Sequence, residues 1–375
     1  LGKPLKILCV IDSLGSGGAQ RQMASLAIGL RKRGHEVEIF NYFPELDFFR
    51  LEVEKSGIPI HDVRKKKGFS FRTLIKLGLL LRSGKYHVAL SFLNVPNAYL
   101  ELAHFLKPST AKVVSERSNH IGARALPGQR LLHRVASRVV VNSWSHCEWL
   151  KARHPWLEPK LRVIYNGVDT DLYNKTPVAP RDPNKLKLLA IGRVGPEKNV
   201  INMIKALVLF HDKWGWVPDL NWVGRKDESK EGHSYGNEIN DLLEISPPAV
   251  QNSIHFLGEQ GFIHEVLAEH DALIHPSLYE GMPNVICEAL AAGKPVLASN
   301  VSDNGRLVKE GERGFLFDPN NPTLIASSIK QLSDLSSERW VGISDNCRKY
   351  SEETLSVNRL VSQYEDLFRQ ITSAK

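Results

Sequence analysis

The feature that most constrains this chain is an alternation of short apolar runs with helix-period segments, which starts near the first residue, stops, and starts again. Residues 6–12, KILCVID, form an apolar run that ends in the loop 13–18, SLGSGG, after which Met23, Leu26, Ala27 and Leu30 recur at helical spacing. Further apolar runs follow at 37–40, 58–60, 88–92, 112–116, 139–142 and 161–165, with a helix expected over 72–81. Residues 176–184, TPVAPRDPN, carry three prolines and no apolar period, so a domain boundary is expected there. The alternation then resumes, with strands expected at 186–193, 220–224, 254–257, 272–275, 295–298 and 314–317. Helices are expected over 199–210, 237–243, 263–270, 323–332, 338–350 and 355–371. Alternation of this kind builds parallel sheets covered on both faces, with ligands beyond the carboxyl ends of the strands. The expected fold class is α/β, with two doubly wound Rossmann-like domains facing each other across a cleft. Residues 1–176 would form the first domain, 177–352 the second, and 353–375 a closing helix.

Composition narrows the function classes. No apolar run in the 375 residues is long enough for a transmembrane helix, and no secretory signal is visible. Cys9, Cys147, Cys287 and Cys347 are isolated and match neither a disulfide framework nor paired zinc ligands, which suits a cytoplasmic protein. The net charge of +8 is unevenly spread, since residues 1–170 hold 27 Lys and Arg against 13 Asp and Glu. Arg64, Lys65, Lys66 and Lys67 run into Gly68, Phe69, Ser70 and Phe71, a mixture that suits an anionic bilayer surface or a polyphosphate, or else a solvated loop. No helix-turn-helix, zinc or RNA-binding motif accompanies the charge, so nucleic acid is not an expected partner.

The chemistry concentrates in residues 274–293, IHPSLYEGMPNVICEALAAG. A buried strand breaks at Pro276 and Ser277, and a helix is expected from about Asn284, with Asn284 as its cap. Glu280 precedes the helix and Glu288 lies about one turn inside it, so both carboxylates border its positive end. The NH groups of the first turn, from about Asn284 to Cys287, would be free to hold an anion. A phosphate there, flanked by carboxylates that accept hydrogen bonds from sugar hydroxyls, describes a nucleotide sugar. An ordinary strand-to-helix turn with two solvated acids fits the same residues. Upstream, Arg193 ends a strand and Lys198 follows in its loop, both at the carboxyl edge of the second sheet. There they would stabilise a departing diphosphate without a metal. The loop with Gly15, Gly17 and Gly18 lacks the third glycine of a dinucleotide fingerprint, although Glu38 stands near the distance of a ribose-binding acid.

In combination, EGMPNVICE with Glu280 and Glu288 at its ends, GRVGPEK upstream and the N-terminal GSGGA loop resemble the retaining glycosyltransferases of family 4, which have the two-domain GT-B fold. The resemblance runs nearly the full length. It implies that Glu280 contacts the donor sugar, Glu288 the ribose, and Arg193 and Lys198 the diphosphate. Gly281, Met282, Pro283, Asn284 and Val285 would line the phosphates and the sugar, with Gly17 and Gly18 closing over the donor from the first domain. Arg225 and Phe262 would border the base. Many relatives place a His at the end of the corresponding N-domain strand, where this chain reads Ser115, Glu116, Arg117, Ser118, Asn119, His120. Either His120 reaches inward or Glu116 and Arg117 take the polar role.

The expected activity is metal-independent transfer of a sugar, with retention, from a UDP-sugar co-substrate to a glycan acceptor linked to polyprenyl diphosphate, without a further cofactor. The enzyme would sit in the cytoplasm or peripherally on the inner membrane face. Two alternatives are a GT-B epimerase or hydrolase, against which the E-x7-E arrangement counts, and a non-catalytic sugar-nucleotide or polyanion-binding protein. A binder would have no use for the whole donor constellation.

Overall fold

The computed structural model describes residues 3–66, 68–117, 128–173, 182 and 185–373. The chain divides into two compact units, one of residues 1–167 with 357–375 and the other of residues 168–356.

The first unit holds β1 (Lys6–Val10), β2 (Glu36–Asn41), β3 (Ile60–Asp62), β4 (Val88–Phe92), β5 (Ala111–Glu116), β6 (Arg138–Val141) and β7 (Leu161–Val163). They form one sheet in the order β3-β2-β1-β4-β5-β6-β7, all pairs parallel. Helices on both faces explain why the strands are continuously apolar rather than alternating, and every residue of β4 is buried. The helix Gly18–Lys32 turns Met23, Leu26, Ala27 and Leu30 into the core, as their spacing requires. The third strand starts two residues later than its apolar run. Pro59 has no N–H to give the ladder and only accepts from the amide of Ile39 at 2.9 Å, so regular pairing begins at Ile60. The last helix, Val357–Ser373, buries Leu360, Val361, Tyr364, Leu367, Phe368 and Ile371 in this unit's core. Gly29 lets it approach, because a Cβ there would strike Val361.

The second unit holds β8 (Lys187–Ile191), β9 (Asp219–Val223), β10 (Ile254–Gly258), β11 (Ala272–His275), β12 (Val296–Ser299) and β13 (Gly314–Phe317). Their order is β10-β9-β8-β11-β12-β13, again parallel throughout. Strand order reverses between β8 and β11, and the crevice beyond the carboxyl ends of such a pair is where doubly wound sheets bind ligands. The chain enters this unit at Val168, whose amide donates to the Leu355 carbonyl at 2.7 Å and which pairs with Ser356. The division therefore falls at 167/168 and 356/357, whereas the proline-rich stretch points to 176 and the closing helix period to 352. Of the proline-rich stretch 176–184, only Asp182 is among the described residues. The helix expected over 237–243 runs instead over Lys230–Glu244, because the Ser229 side chain caps it by accepting from the Gly232 amide at 3.0 Å.

Candidate active site at the switch point of the second unit

The strand ends build the site. Beyond β8 comes Gly192, with φ of +155°, against which Gly224 packs so closely that a Cβ on Gly224 would fall on the Gly192 carbonyl. The chain then makes one tight turn over Pro196–Lys198 and passes through Asn199, a non-glycine residue at φ of +63°. Asn199 is held in that conformation by two bonds: its Nδ2 donates to the carbonyls of Pro276 at 3.1 Å and Pro319 at 2.7 Å. The Leu278 amide donates to the Glu197 carbonyl at 2.9 Å. These bonds lock the loop after β8 to the loop after β11, which brings Lys198 to Glu280 although they are far apart in sequence.

Glu280 is the centre of the site. Its Oε1 accepts from Lys198 Nζ and lies 2.9 Å from His275 Nε2, while Ser302 Oγ donates to its backbone carbonyl. Ser277 Oγ stands 3.2 Å from the same His275 nitrogen. The other carboxylate oxygen, Oε2, has no partner among the described residues. Burial pushes the Glu280 carboxyl up, but His275 and Lys198 outweigh it and hold the group well below the usual carboxylate range. The side chain thus stays ionised in a mostly enclosed position, 14% exposed, with one oxygen free to accept.

The helix after the turn is Asn284–Ala291, and Glu288 is buried on it. Its cap position is Pro283, with no side-chain cap, so Asn284 is the first helical residue and not the cap expected from its type. The amides of Ile286 and Cys287 return to the Pro283 carbonyl at 3.2 and 3.4 Å, which corrects the expectation that they are free; the helix closes its own first turn around proline. Met282 and Pro283 are buried, and Gly281 and Val285 are half-buried.

Arg193 takes a different direction from Lys198. Its Nε and Nη2 donate to Glu197 Oε1 at 3.1 and 2.6 Å, and its Nη1 is 3.5 Å from Asp227 Oδ2. Hydrogen bonding to Glu197 holds the guanidinium above its ordinary pKa. Arg225 contributes its carbonyl to the amide of Val194 at 2.9 Å, and Phe262 is largely exposed at the start of the helix Ile263–Ala268. The residues that sequence reading missed are His275, Ser277, Asn199 and Ser302. The available signal for His275 was a polar residue ending a fully apolar parallel strand, ALIH. An Asp-x-Asp pair, Asp169 and Asp171, also went unread, and it makes a local turn in which Asp169 Oδ1 accepts the Asp171 amide at 3.1 Å. Among the described residues no group of three or more His, Cys, Asp or Glu is placed to hold a metal ion.

The candidates in the first unit behave otherwise. Gly17 is the cap residue of the helix Gly18–Lys32, with Gln20 folded over it and donating to Asp12 at 2.8 Å. Glu116, the last residue of β5, is buried and saturated: Arg130 Nε and Nη2 donate at 3.0 and 3.1 Å, and His133 and His146 each bring Nε2 to 2.9 Å. Burial pushes its carboxyl up, and the two histidines and Arg130 more than reverse that. Arg117 turns inward, its Nη2 donating to Asn166 and its guanidinium lying 4.3 Å from the Phe92 ring centroid. Burial holds that guanidinium below its ordinary pKa. His120 lies outside the described residues.

Comparison with known proteins gives the family. A family profile described as Glycosyltransferase Family 4 matches residues 16–172, and one described as Glycosyl transferases group 1 matches residues 185–334. The chain is 29% identical over 222 residues to the Escherichia coli UDP-Gal:alpha-D-GlcNAc-diphosphoundecaprenol alpha-1,3-galactosyltransferase, covering 56% of this chain and 54% of that protein. In that match the chain spans about half the relative's length. It is 23% identical to the Campylobacter jejuni GalNAc-alpha-(1->4)-GalNAc-alpha-(1->3)-diNAcBac-PP-undecaprenol alpha-1,4-N-acetyl-D-galactosaminyltransferase, covering 87% of this chain and 88% of that one. Among solved structures, Anabaena HepE in complex with UDP shares the fold with a TM-score of 0.80 at 22% identity, covering 98% and 100% of the two chains.

Proposed function

Since this chain belongs to glycosyltransferase family 4 and has its GT-B fold, we propose that it moves a sugar from a UDP-sugar to a hydroxyl of a lipid-linked glycan, with retention and without a metal. The observation that carries the proposal is the Glu280 carboxylate, ionised, mostly enclosed and with Oε2 unpartnered, at the switch point beside Lys198 and the start of the helix Asn284–Ala291. An oxygen in that state is an acceptor for hydroxyls of the donor sugar. Lys198, one of whose three N–H donors engages Glu280, is the cation for the diphosphate. Arg193 joins it by exchanging Glu197 and Asp227 for phosphate, and Glu288 takes the ribose.

In the proposed step, the bond between the sugar's anomeric carbon and the diphosphate oxygen breaks, and the acceptor oxygen bonds to that carbon on the same face. The acceptor proton passes to the departing diphosphate. Lys198 and Arg193 stabilise the charge that develops on the leaving oxygens. The choice of UDP and of a diphosphate-linked lipid acceptor draws on the donor and acceptor named for the Escherichia coli relative, and on UDP in the HepE structure. The basic first half fits work at the inner leaflet.

Incubation of the protein with a panel of UDP-sugars and an undecaprenyl-diphosphate-linked glycan, in EDTA, tests this reading. The expected result is a product whose new linkage keeps the donor's anomeric configuration. Transfer that requires added divalent metal, or an inverted product, overturns the mechanism; no UDP-sugar being used by the wild type overturns the donor assignment.

A further inference from the structure

A helix on the surface of a water-soluble unit normally shows water a polar face. Phe71–Gly84 shows it an apolar row as well. Its inner side is in order, with Thr73, Leu77 and Leu81 buried. Its outer side carries Phe71, Ile75 and Leu79 at successive i, i+4 positions, exposed by 73%, 54% and 60%. Arg72 and Lys76, also exposed, form a second row alongside, and Arg82 continues the first row by one turn. The patch extends beyond the helix. Leu106 packs where Gly78 has no side chain, and Leu106 and Phe105 are themselves exposed by 50% and 72%. At the helix start, Phe69 stacks on Tyr99 with centroids 5.2 Å apart and meets Phe71 edge-on at 5.1 Å, holding these rings on the surface.

The exposed charge carried by this stretch of chain has one sign. No acidic residue occurs between Asp62 and Glu101, and Glu101 is fully buried. In the same interval Arg64 and Lys66 are exposed just ahead of the aromatic pair. A parallel apolar and basic row on one exposed helix face is the composition of a segment that lies in a membrane interface, with rings and aliphatic chains at the acyl boundary and cations among the headgroups.

We propose that the outer face of Phe71–Gly84, with Phe69, Phe105 and Leu106, docks this protein on an anionic lipid bilayer. A second copy of the chain is the poorer occupant, because a twofold contact on this face would set Arg72 and Lys76 against their own counterparts. A zwitterionic surface would satisfy the apolar row and leave the basic row without a complement. The proposal deepens the reading of a membrane-linked acceptor, and it is tested without acceptor or donor so that either can fail alone.

The test is flotation of the whole chain with vesicles of phosphatidylglycerol and phosphatidylcholine, against vesicles of phosphatidylcholine only. The wild type is expected to float with the anionic vesicles, less at high salt, and to stay in solution with the zwitterionic ones. Arg72→Gln with Lys76→Gln should weaken partitioning about 30-fold, at roughly 1 kcal/mol for each cation near the surface. Ile75→Ser with Leu79→Ser should weaken it at least about tenfold through lost apolar burial. All four positions are exposed, so both variants should keep the wild-type melting temperature and any UDP-sugar stabilisation, which separates docking from the donor site. A wild type that fails to float with anionic vesicles, self-association in place of vesicle binding, or well-folded variants that float like the wild type overturns the proposal.

Discussion

Each unit places a glutamate, buried in one and mostly enclosed in the other, near the carboxyl end of a central parallel strand and surrounds it with histidine and a cation, yet the two arrangements do opposite things. Glu116, ending β5, spends both oxygens, since Oε1 receives Arg130 and His133 and Oε2 receives Arg130 and His146. Glu280, five residues past the end of β11, receives both Lys198 and His275 on Oε1 and leaves Oε2 unpartnered among the described residues. A carboxylate whose hydrogen-bonding capacity is filled by the protein is a structural knot; one held ionised with an oxygen to spare is a receptor. Enclosure and a depressed pKa are common to both, so neither property alone marks a site. The count of occupied lone pairs separates them.

The comparison breaks most visibly under amide substitution. Glu280→Gln should lower kcat/KM by about 10²–10³-fold, or roughly 3–4 kcal/mol of transition-state stabilisation, and shift the melting temperature little, as steady-state kinetics and calorimetry would show. Glu116→Gln should do the reverse. It removes the buried charge that Arg130, His133 and His146 share and should cost about 3–5 kcal/mol in the first unit, measured by denaturant unfolding, with kcat/KM within a few-fold at temperatures where the protein is folded.

Titration sharpens the contrast. The Glu280 carboxyl is depressed, so its charged form persists from above the ordinary value of 4.5 down to its lower folded value, and sugar binding should weaken only as the pH falls through that lower value. In Lys198→Ala one of the two outweighing partners is gone and burial counts for more, so the acid limb of UDP-sugar binding should move upward by about one pH unit, readable by fluorescence titration. His133 has the opposite sign. Although burial alone would lower it, Glu101 at 2.5 Å and Glu116 at 2.9 Å raise it from 6.5 to about 9. Its contribution is full below 6.5 and lost as the pH rises through 9, so the first unit's melting temperature should fall across that window, by about 2–4 °C for each ~1 kcal/mol lost. The smallest effect is expected of Ser302→Ala, which removes only the side-chain bond to the Glu280 carbonyl and should change kcat/KM by less than about fivefold.

Much of this was legible in the sequence, and the exceptions have physical causes. Strand and helix periods locate both sheets because strands buried on two faces must be apolar, as in β4 and β11. Glu280, Lys198 and Glu288 were visible because the turn and its helix are continuous in sequence and Lys198 belongs to the adjoining strand's loop. His275 was hidden by its own strand, where it counts as the end of an apolar run. The role of Glu116 was hidden by distance. Its partners His133 and His146 lie 17 and 30 positions away, and no local pattern announces such a contact. Arg117 looks like a site residue in a polar string and instead lies over Phe92, a strand residue 25 positions earlier that no local pattern connects to it. Asn284 was misjudged as a cap because residue preference ignores a neighbouring proline that already occupies that position. The outward apolar row of Phe71–Gly84 reads in sequence as one more core-facing helix; only exposure reveals which leucines face water.

The most direct test of the distinction between knot and receptor is the melting temperature of wild type, Glu280→Gln and Glu116→Gln with UDP and with a panel of UDP-sugars, since a ligand of the folded state raises it. The account predicts that the extra rise given by the best UDP-sugar over UDP disappears in Glu280→Gln and survives in Glu116→Gln, whose baseline is lower. An undiminished sugar increment in Glu280→Gln, or its loss in Glu116→Gln alone, would contradict the account.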